Sequence, residues 1–316
     1  MSGIAAYVVF FASIVAILSI VTLGLNLQWG STGLFNAGVV GFYAIGGYTY
    51  AILSAAPAPG HLGNLGWPWA AGIAAAMLVT ALAAWAIGAL TIRLRGDYLA
   101  ITSFGIAITI QLVTLNWQSL TGGPNGLTRI ARLPGSGLFD SSAAFNLWQL
   151  ALLAVLVALV YIGLERMLRS PWGRVLRAIR EDEIAAVALG KSAHRFRLEA
   201  FVIGCTLMGL AGALYVGFIG FVSPFDFLPI LTFQVWAMLL VGGSGNNRGA
   251  MLGTLVVWGI WTASGVVVTK LVPPSHAAQG AAVQVILIGL ALVAMLLMRP
   301  RGLIGEEAVV SRHLST

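Results

Sequence analysis

Long apolar runs dominate the chain, and polar residues arrive in clusters between them. Runs of spanning length lie near residues 4–27, 32–56, 68–92, 98–117, 147–164, 200–222, 228–245, 250–268 and 281–298. Each approaches the roughly 20 residues that a helix needs to cross the hydrocarbon of a bilayer. The pattern predicts an all-α polytopic membrane protein of nine to ten transmembrane helices, forming a single transmembrane domain over residues 1–316. Composition agrees: 59% of residues are hydrophobic, 9% are charged and the mean hydropathy is +0.94, beyond what a water-soluble domain keeps in solution. Between Met1 and Ile92 there is no Asp, Glu, Lys or Arg. The first run has no basic segment before it and no small-residue cleavage site close behind it, so it reads as a span and not as a signal peptide.

Charge sets the expected orientation. Arg93 and Arg95 follow the third run, a crowded basic loop follows the fifth, Arg248 follows the seventh, and Arg299 and Arg301 follow the last. Two crossings separate each basic point from the next, so all face one side, the cytoplasm by the positive-inside bias. The opposite side receives the Gly/Pro/Ser-rich stretches Thr121–Ser142 and Lys270–Gly280. Nine spans place the N-terminus outside. The stretch Gly33–Leu53 admits two readings: an ordinary Gly-rich interface helix, or a helix broken near Asn36 into two short pieces, which brings the count to ten and the N-terminus inside. GVVGFYAIGGY and VGGSGNNRGAMLG are a faint internal echo, both being Gly-rich interruptions of apolar runs, although too weak alone to establish a repeat.

The spans carry almost no ionisable groups. Glu199, Asp226 and Lys270 fall at span ends, Asp97 at a span start, and the four histidines in loops or the tail. Ion-coupled transport and intramembrane hydrolysis both need such groups at membrane depth, so the chain is either a passive channel or is driven by another protein. A lone Cys205 allows no disulfide and no Cys-based metal site. No catalytic constellation and no metal site is expected. ALGKS at Ala188–Ser192 imitates the end of a phosphate-binding loop, but position 185 is Ala and no strand precedes it. The net charge of +7 is explained by orientation, and no nucleic-acid partner is expected.

The loop of residues 165–199 holds eight basic and five acidic side chains, nearly half of the chain's 17 basic and 10 acidic residues. Ser170 before Pro171 suits a helix start and Gly190 a stop. One helix between them sets arginines against the macrodipole. Two helices, Pro171–Glu181 and Glu183–Leu189 with Asp182 as the cap between them, remove the conflict. The second then presents a small apolar knob, which suits docking into a partner's groove as well as it suits a solvated loop touching anionic lipid headgroups.

The run SPWGRVLRAIREDEIAAVALGKSAHRFRLEAFVIGCTLMGLAGALY resembles the permease subunits of branched-chain amino acid ABC importers, of the LivM type. GDYLAITSFG, TGGPNG, GFVSPFDF, LLVGGSGNNRGAMLG and RPRGLIGE extend the resemblance over most of the chain, in family order. It implies a multi-pass protein of the bacterial inner membrane that carries leucine, isoleucine or valine inward. The implied partners are a second, LivH-type permease, two cytoplasmic ATPase subunits and a periplasmic solute-binding protein, within membrane lipid. ATP is used by the ATPases, and this chain itself needs no cofactor. A related cargo such as urea, short amides or other amino acids fits the same machine.

The resemblance further implies that residues 165–199 form the loop that couples to the ATPase. Glu183, Ala185, Ala186 and Gly190 are similar to a loosened E-A-A-x-x-x-G motif, with an isoleucine between the glutamate and the alanine pair. On that reading Arg174, Arg177, Arg180, Glu181, Asp182 and Glu183 make the polar contacts, and Ile184, Ala185 and Ala186 sit in the groove. With no charge in the spans, the translocation path is expected to be weakly polar, with Asn36, Thr102, Ser103 and Gln111 as candidate lining residues. Helix packing is the competing role for each of the four.

Overall fold

The structure is a computed structural model that describes residues 3–57, 62–94, 96–135, 141–271, 277–299 and 302–305. Twelve α-helices are described: α1 (Gly3–Thr32), α2 (Val39–Ser54), α3 (Trp69–Thr91), α4 (Asp97–Asn116), the single turn α5 (Gln118–Thr121), α6 (Ser142–Arg169), α7 (Pro171–Glu181), α8 (Glu183–Ala188), α9 (Ala193–Ile219), α10 (Pro229–Gly242), α11 (Asn247–Leu271) and α12 (Ala277–Met298). Six of them, α1, α3, α4, α6, α9 and α11, are long and apolar enough to cross a membrane, while α2 and α10 are shorter apolar helices. The chain is an all-α polytopic membrane protein.

The ends of the bundle are set by contacts. At one end α1 finishes beside α7, whose Arg180 donates to the Gly30 carbonyl, and beside the turn between α10 and α11, where the Gly245 N–H donates to Asn26. This is the basic end. At the other end the connecting segments join through isolated bridges, Ala55 with Ile130 and Leu127 with Val222. Helix α1 therefore runs toward the basic end and α9 runs away from it.

Each of these two long helices is followed by an irregular segment, then a short helix, then two longer ones. The first set is α1, residues 33–38, α2, α3 and α4; the second is α9, residues 220–228, α10, α11 and α12. The same order of elements is thus run twice in opposite directions, the arrangement of inverted-topology repeats. The echo in the sequence pointed elsewhere. It compared α2 with the α10–α11 turn, whereas the structural counterparts are the breaks at 33–38 and 220–228.

Close backbone approach explains Gly204 and Gly212 of α9. A Cβ on Gly24 would stand 2.6 Å from the Gly204 carbonyl, and one on Gly204 would stand 2.6 Å from the Gly24 carbonyl. Gly46 meets the Gly209 backbone in the same way, and Gly212 meets the Tyr43 carbonyl. Without a hydrophobic force between helices inside lipid, such small-residue seams let dispersion hold the bundle.

Residues 33–38 form no helix, so neither reading of Gly33–Leu53 is met in full: an irregular segment that holds Asn36 precedes a single helix of 16 residues. Gly33, at φ +71°, reverses the chain after α1, a conformation that glycine takes without steric cost. The segment then turns back against the bundle with its polar groups paired. The Leu34 N–H reaches the Gln28 carbonyl at 3.1 Å and the Ala37 N–H reaches the Ser103 hydroxyl at 3.0 Å. The Gly38 N–H reaches the Asn36 side chain at 2.8 Å, and the Trp236 indole N–H donates to the Asn36 carbonyl at 2.9 Å. The Asn36 amide donates to the Gln28 side chain at 2.9 Å, whose own amide donates to the Phe201 carbonyl at 2.9 Å. Gln28 and Asn36 are both 0% exposed.

Two outcomes follow for the purified protein in detergent, read by thermal unfolding. Gln28→Leu removes the acceptor of the Asn36 amide and lowers stability by about 1–3 kcal/mol, the usual cost of a buried polar group left unpaired. Gly24→Leu costs about 1–3 kcal/mol or more by overpacking a backbone contact. The control Gly163→Ala, where an added Cβ has nothing within 4 Å, leaves stability unchanged or slightly higher.

Candidate functional site

Local rules shape the charged loop. Helix α7 begins with Pro171 in its first turn, and Asp182 caps α8 by accepting the Ala185 N–H at 3.0 Å. Gly190 sits at φ +78° after the last turn. The two helices and the capping aspartate occupy the positions that the sequence predicts, α8 ending at Ala188, one residue short of Leu189.

Tertiary contacts then assign the charges. On α7, Gly173, Leu176 and Ile179 recur every three residues and are buried. Arg174, Arg177 and Arg180 follow at the same spacing, one position later. Arg177 donates to the Leu168 carbonyl at 3.3 Å, Arg174 to the Arg169 carbonyl at 3.4 Å, and Arg180 to the Gly30 carbonyl. These carbonyls belong to the last turns of α6 and α1, where the backbone has no helical donor left and the dipole is negative. The arginines assigned to a partner interface thus also cap this chain's own helices. Arg180 in addition lies 3.9 Å from the exposed Glu181.

Glu183 is likewise engaged internally, accepting from Arg197 of α9 at 2.9 Å. Trp172 donates to Glu199 at 2.8 Å, and Arg195 pairs with the same carboxylate at 2.9 Å. Ala186 differs from its expected placement in a groove outside the chain. At 4% exposure it turns inward and packs with Ile179, Ala193, Val175 and Phe196. A six-residue helix has only one inward face, and Ala186 is small enough to occupy it. The outward face of the loop carries Ile184 at 83% exposure, Leu189 at 81%, and Val187, with Ala185 beside them. Val187 and Leu189 belong to the apolar knob that the sequence predicts over Glu183–Leu189, although the residues assigned to the groove were Ile184, Ala185 and Ala186.

A second polar chain ties the loop to the bundle. Glu165, on the last turns of α6, accepts from Asn247 at 3.1 Å, and the Asn247 side-chain oxygen accepts from Asn26 of α1 at 2.8 Å. Through Asn247 and Arg180 the loop's supports reach α11 and α1.

Of the four residues expected to line a path, Asn36 and Ser103 are buried and committed to the break after α1, Ser103 also donating to the Ala100 carbonyl at 3.0 Å. Thr102 and Gln111 lie half-buried on α4, and the structure does not bring the four together around one opening. The sequence reading missed Gln28, Thr232 and Trp236, which complete the seal; the Val40 N–H donates to the Thr232 hydroxyl at 3.2 Å.

Comparison with known proteins agrees with this arrangement. The family described as "Branched-chain amino acid transport system / permease component" matches residues 7–296. The high-affinity branched-chain amino acid transport system permease protein LivM of Escherichia coli K12 is 34% identical, over 93% of this chain and 69% of the relative. The probable branched-chain amino acid transport permease protein LivM of Methanocaldococcus jannaschii is 30% identical over 75% of each chain. LivH of Salmonella typhimurium, a permease protein of the high-affinity branched-chain amino acid transport system, is 26% identical over 76% of this chain and 79% of its own length. No solved structure matches. A match over nearly the whole membrane body places this chain in the branched-chain amino acid transport permease family.

Proposed function

We propose that this chain is one of the two permeases of an ATP-driven ABC importer that moves leucine, isoleucine and valine into the cytoplasm across the bacterial inner membrane. It pairs with a LivH-type permease, two cytoplasmic ATPase subunits hydrolyse the ATP, and a periplasmic binding protein delivers the solute. The cargo is supported by the names of the LivM and LivH relatives. The observation that carries the ATP-driven mechanism is the face of Ile184, Val187 and Leu189, exposed on a loop that is otherwise charged and fixed to the bundle. Apolar side chains gathered on a water-facing loop mark a surface that a partner covers.

On this reading the basic end faces the cytoplasm and α1 begins outside. The chain crosses the bilayer nine times, with α2 and α10 completed by the irregular segments 33–38 and 220–228. At 16 and 14 residues these helices reach only about 21–24 Å, at 1.5 Å per residue, of a hydrocarbon core of about 30 Å. Buried irregular backbone is tolerated at membrane depth when its polar groups are paired.

ATPase closure does work only if the ATP-bound and ATP-free states grip the loop differently. Because α7 is held to α1 and α6 through backbone carbonyls, a force on α8 is transmitted to both helices and not lost in loop flexing. Rigid-body movement of the spans then opens the path to one side or the other.

Radiolabelled leucine uptake into proteoliposomes that contain this chain with its permease and ATPase partners tests the proposal. Uptake is expected only with ATP inside and the binding protein outside. Leucine flux without ATP or partners overturns it, and ATP-dependent uptake of urea or an amide in place of leucine moves the cargo.

The docking face is tested by Ile184→Asp combined with Leu189→Asp. Both side chains are exposed, so membrane insertion is expected to be unchanged while copurifying ATPase and leucine uptake each fall by about tenfold or more, as charges placed in an apolar interface predict. Unaltered uptake removes the docking role. Glu183→Arg is a less direct probe, since it also sets a second cation against Arg197.

A further inference from the structure

The two breaks in the bundle differ in one respect. The segment 33–38 is pinned to α1, α4 and α10 by the Gln28, Ser103 and Trp236 contacts of Asn36 and Ala37. The segment 220–228 borders a partly open cavity of about 240 Å³ lined by α1, α2, α9, α10 and α11. Tyr43, Tyr215, Trp258 and Trp261 supply rings to its wall, Gln234 and Asp226 supply polar groups, and aliphatic side chains of α1 and α10 close most of the rest. Phe225, Leu228 and Ile230 are exposed at its rim, on the end of the bundle opposite the charged loop.

Asp226 lies in the single 3-10 turn Pro224–Phe227. One carboxylate oxygen accepts the Ser223 N–H at 2.9 Å and the other accepts the Tyr215 hydroxyl at 3.4 Å. Two bonds leave acceptor capacity, because an ionised carboxylate offers about four lone-pair sites. Among the described residues Asp226 has no ion-pair partner. Asp226 is the N3 member of a capping box with Ser223 as the cap, and the side of its carboxylate not used by that box faces the cavity.

A half-buried carboxylate without a cation, beside an amide and four aromatic rings, has the chemistry to receive a small molecule with an ammonium group at one end and an apolar body at the other. Transporters built from opposed repeats place such sites where a helix is interrupted. We infer that this cavity is a transient solute site within the permease, in which Asp226 holds the ammonium group of a branched-chain amino acid, Gln234 makes the second polar contact, and the rings enclose the aliphatic side chain. This rests on the importer reading above. Among the described lining residues there is no cation to meet the solute carboxylate, so the site holds the zwitterion loosely, as a hand-over from a binding protein requires.

The test uses the complete permease–ATPase complex in lipid nanodiscs without binding protein, with binding read by tryptophan fluorescence. The probes are L-leucine, leucinamide, which keeps the ammonium and lacks the carboxylate, and 4-methylpentanoate, which keeps the apolar chain and carboxylate and lacks the ammonium. Leucine and leucinamide are expected to give saturable changes that Trp258→Phe diminishes, with 4-methylpentanoate at least tenfold weaker.

Asp226→Asn removes the charge and keeps an acceptor oxygen for the Ser223 N–H, while its amide NH2 can donate to the Tyr215 hydroxyl oxygen in place of accepting from it. It is expected to weaken leucine at least tenfold and to erase the preference over 4-methylpentanoate, a loss of selectivity that a purely structural role would not produce. Gln234→Leu, outside the capping turn, weakens leucine about threefold or more. Leucine binding unchanged in both variants, or no leucine binding by a wild-type complex that transports leucine with ATP, overturns the inference and leaves the importer reading standing. A wild-type complex that fails to take up leucine with ATP and binding protein defeats the importer reading first.

Discussion

The amide-to-amide hydrogen bond between Gln28 and Asn36 is the constraint on which the membrane body depends. An unwound stretch amid apolar helices survives only if its N–H and C=O groups find partners, since each unpaired group costs as much as several good packing contacts. The pair meets that demand from both sides. Asn36 pins the segment to α1 through Gln28 and to α10 through Trp236, while Gln28 reaches on to α9 at Phe201. Three helices far apart in sequence are thereby held around six residues, and the short α2 starts where the network ends.

Once that break is fixed, the two opposed sets of helices can pack. The glycine contacts between α1 and α9 and between α2 and α9 bring backbones nearer than side chains allow, and the seam is tight because neither helix can slide without driving a carbonyl into its neighbour. Repeats that share an order of elements need not share a role. The break in the first set is closed and structural, and that in the second borders space.

The charged loop obeys a related economy. Its arginines face carbonyls at the C-terminal ends of α1 and α6, where an unsatisfied backbone and a negative dipole both favour a guanidinium. Those contacts hold several of the loop's charges internally, and Ile184, Val187 and Leu189 stand exposed beside the charges that remain at the surface, such as Glu181 and Lys191. Charge density marks this segment in the sequence, and in the structure the apolar Ile184, Val187 and Leu189 are exposed on it.

Much of this was legible in the residues alone. The six helices long and apolar enough to cross a membrane fall on apolar runs read from the sequence. The division of the loop at Asp182 follows from capping and dipole rules that act within four residues, so Ser170, Pro171, Asp182 and Gly190 sufficed to place α7 and α8. Tertiary structure decided what depends on partners distant in sequence: that Asn36 and Ser103 seal a break, that Ala186 faces inward, that Arg180 turns to Gly30, and that Asp226 borders a cavity. The physical reason is one of range. Helix formation and capping are settled by neighbouring residues, whereas hydrogen-bond partners and enclosed space are settled by which helices meet, and a hydropathy pattern apolar on every side does not say which face meets which.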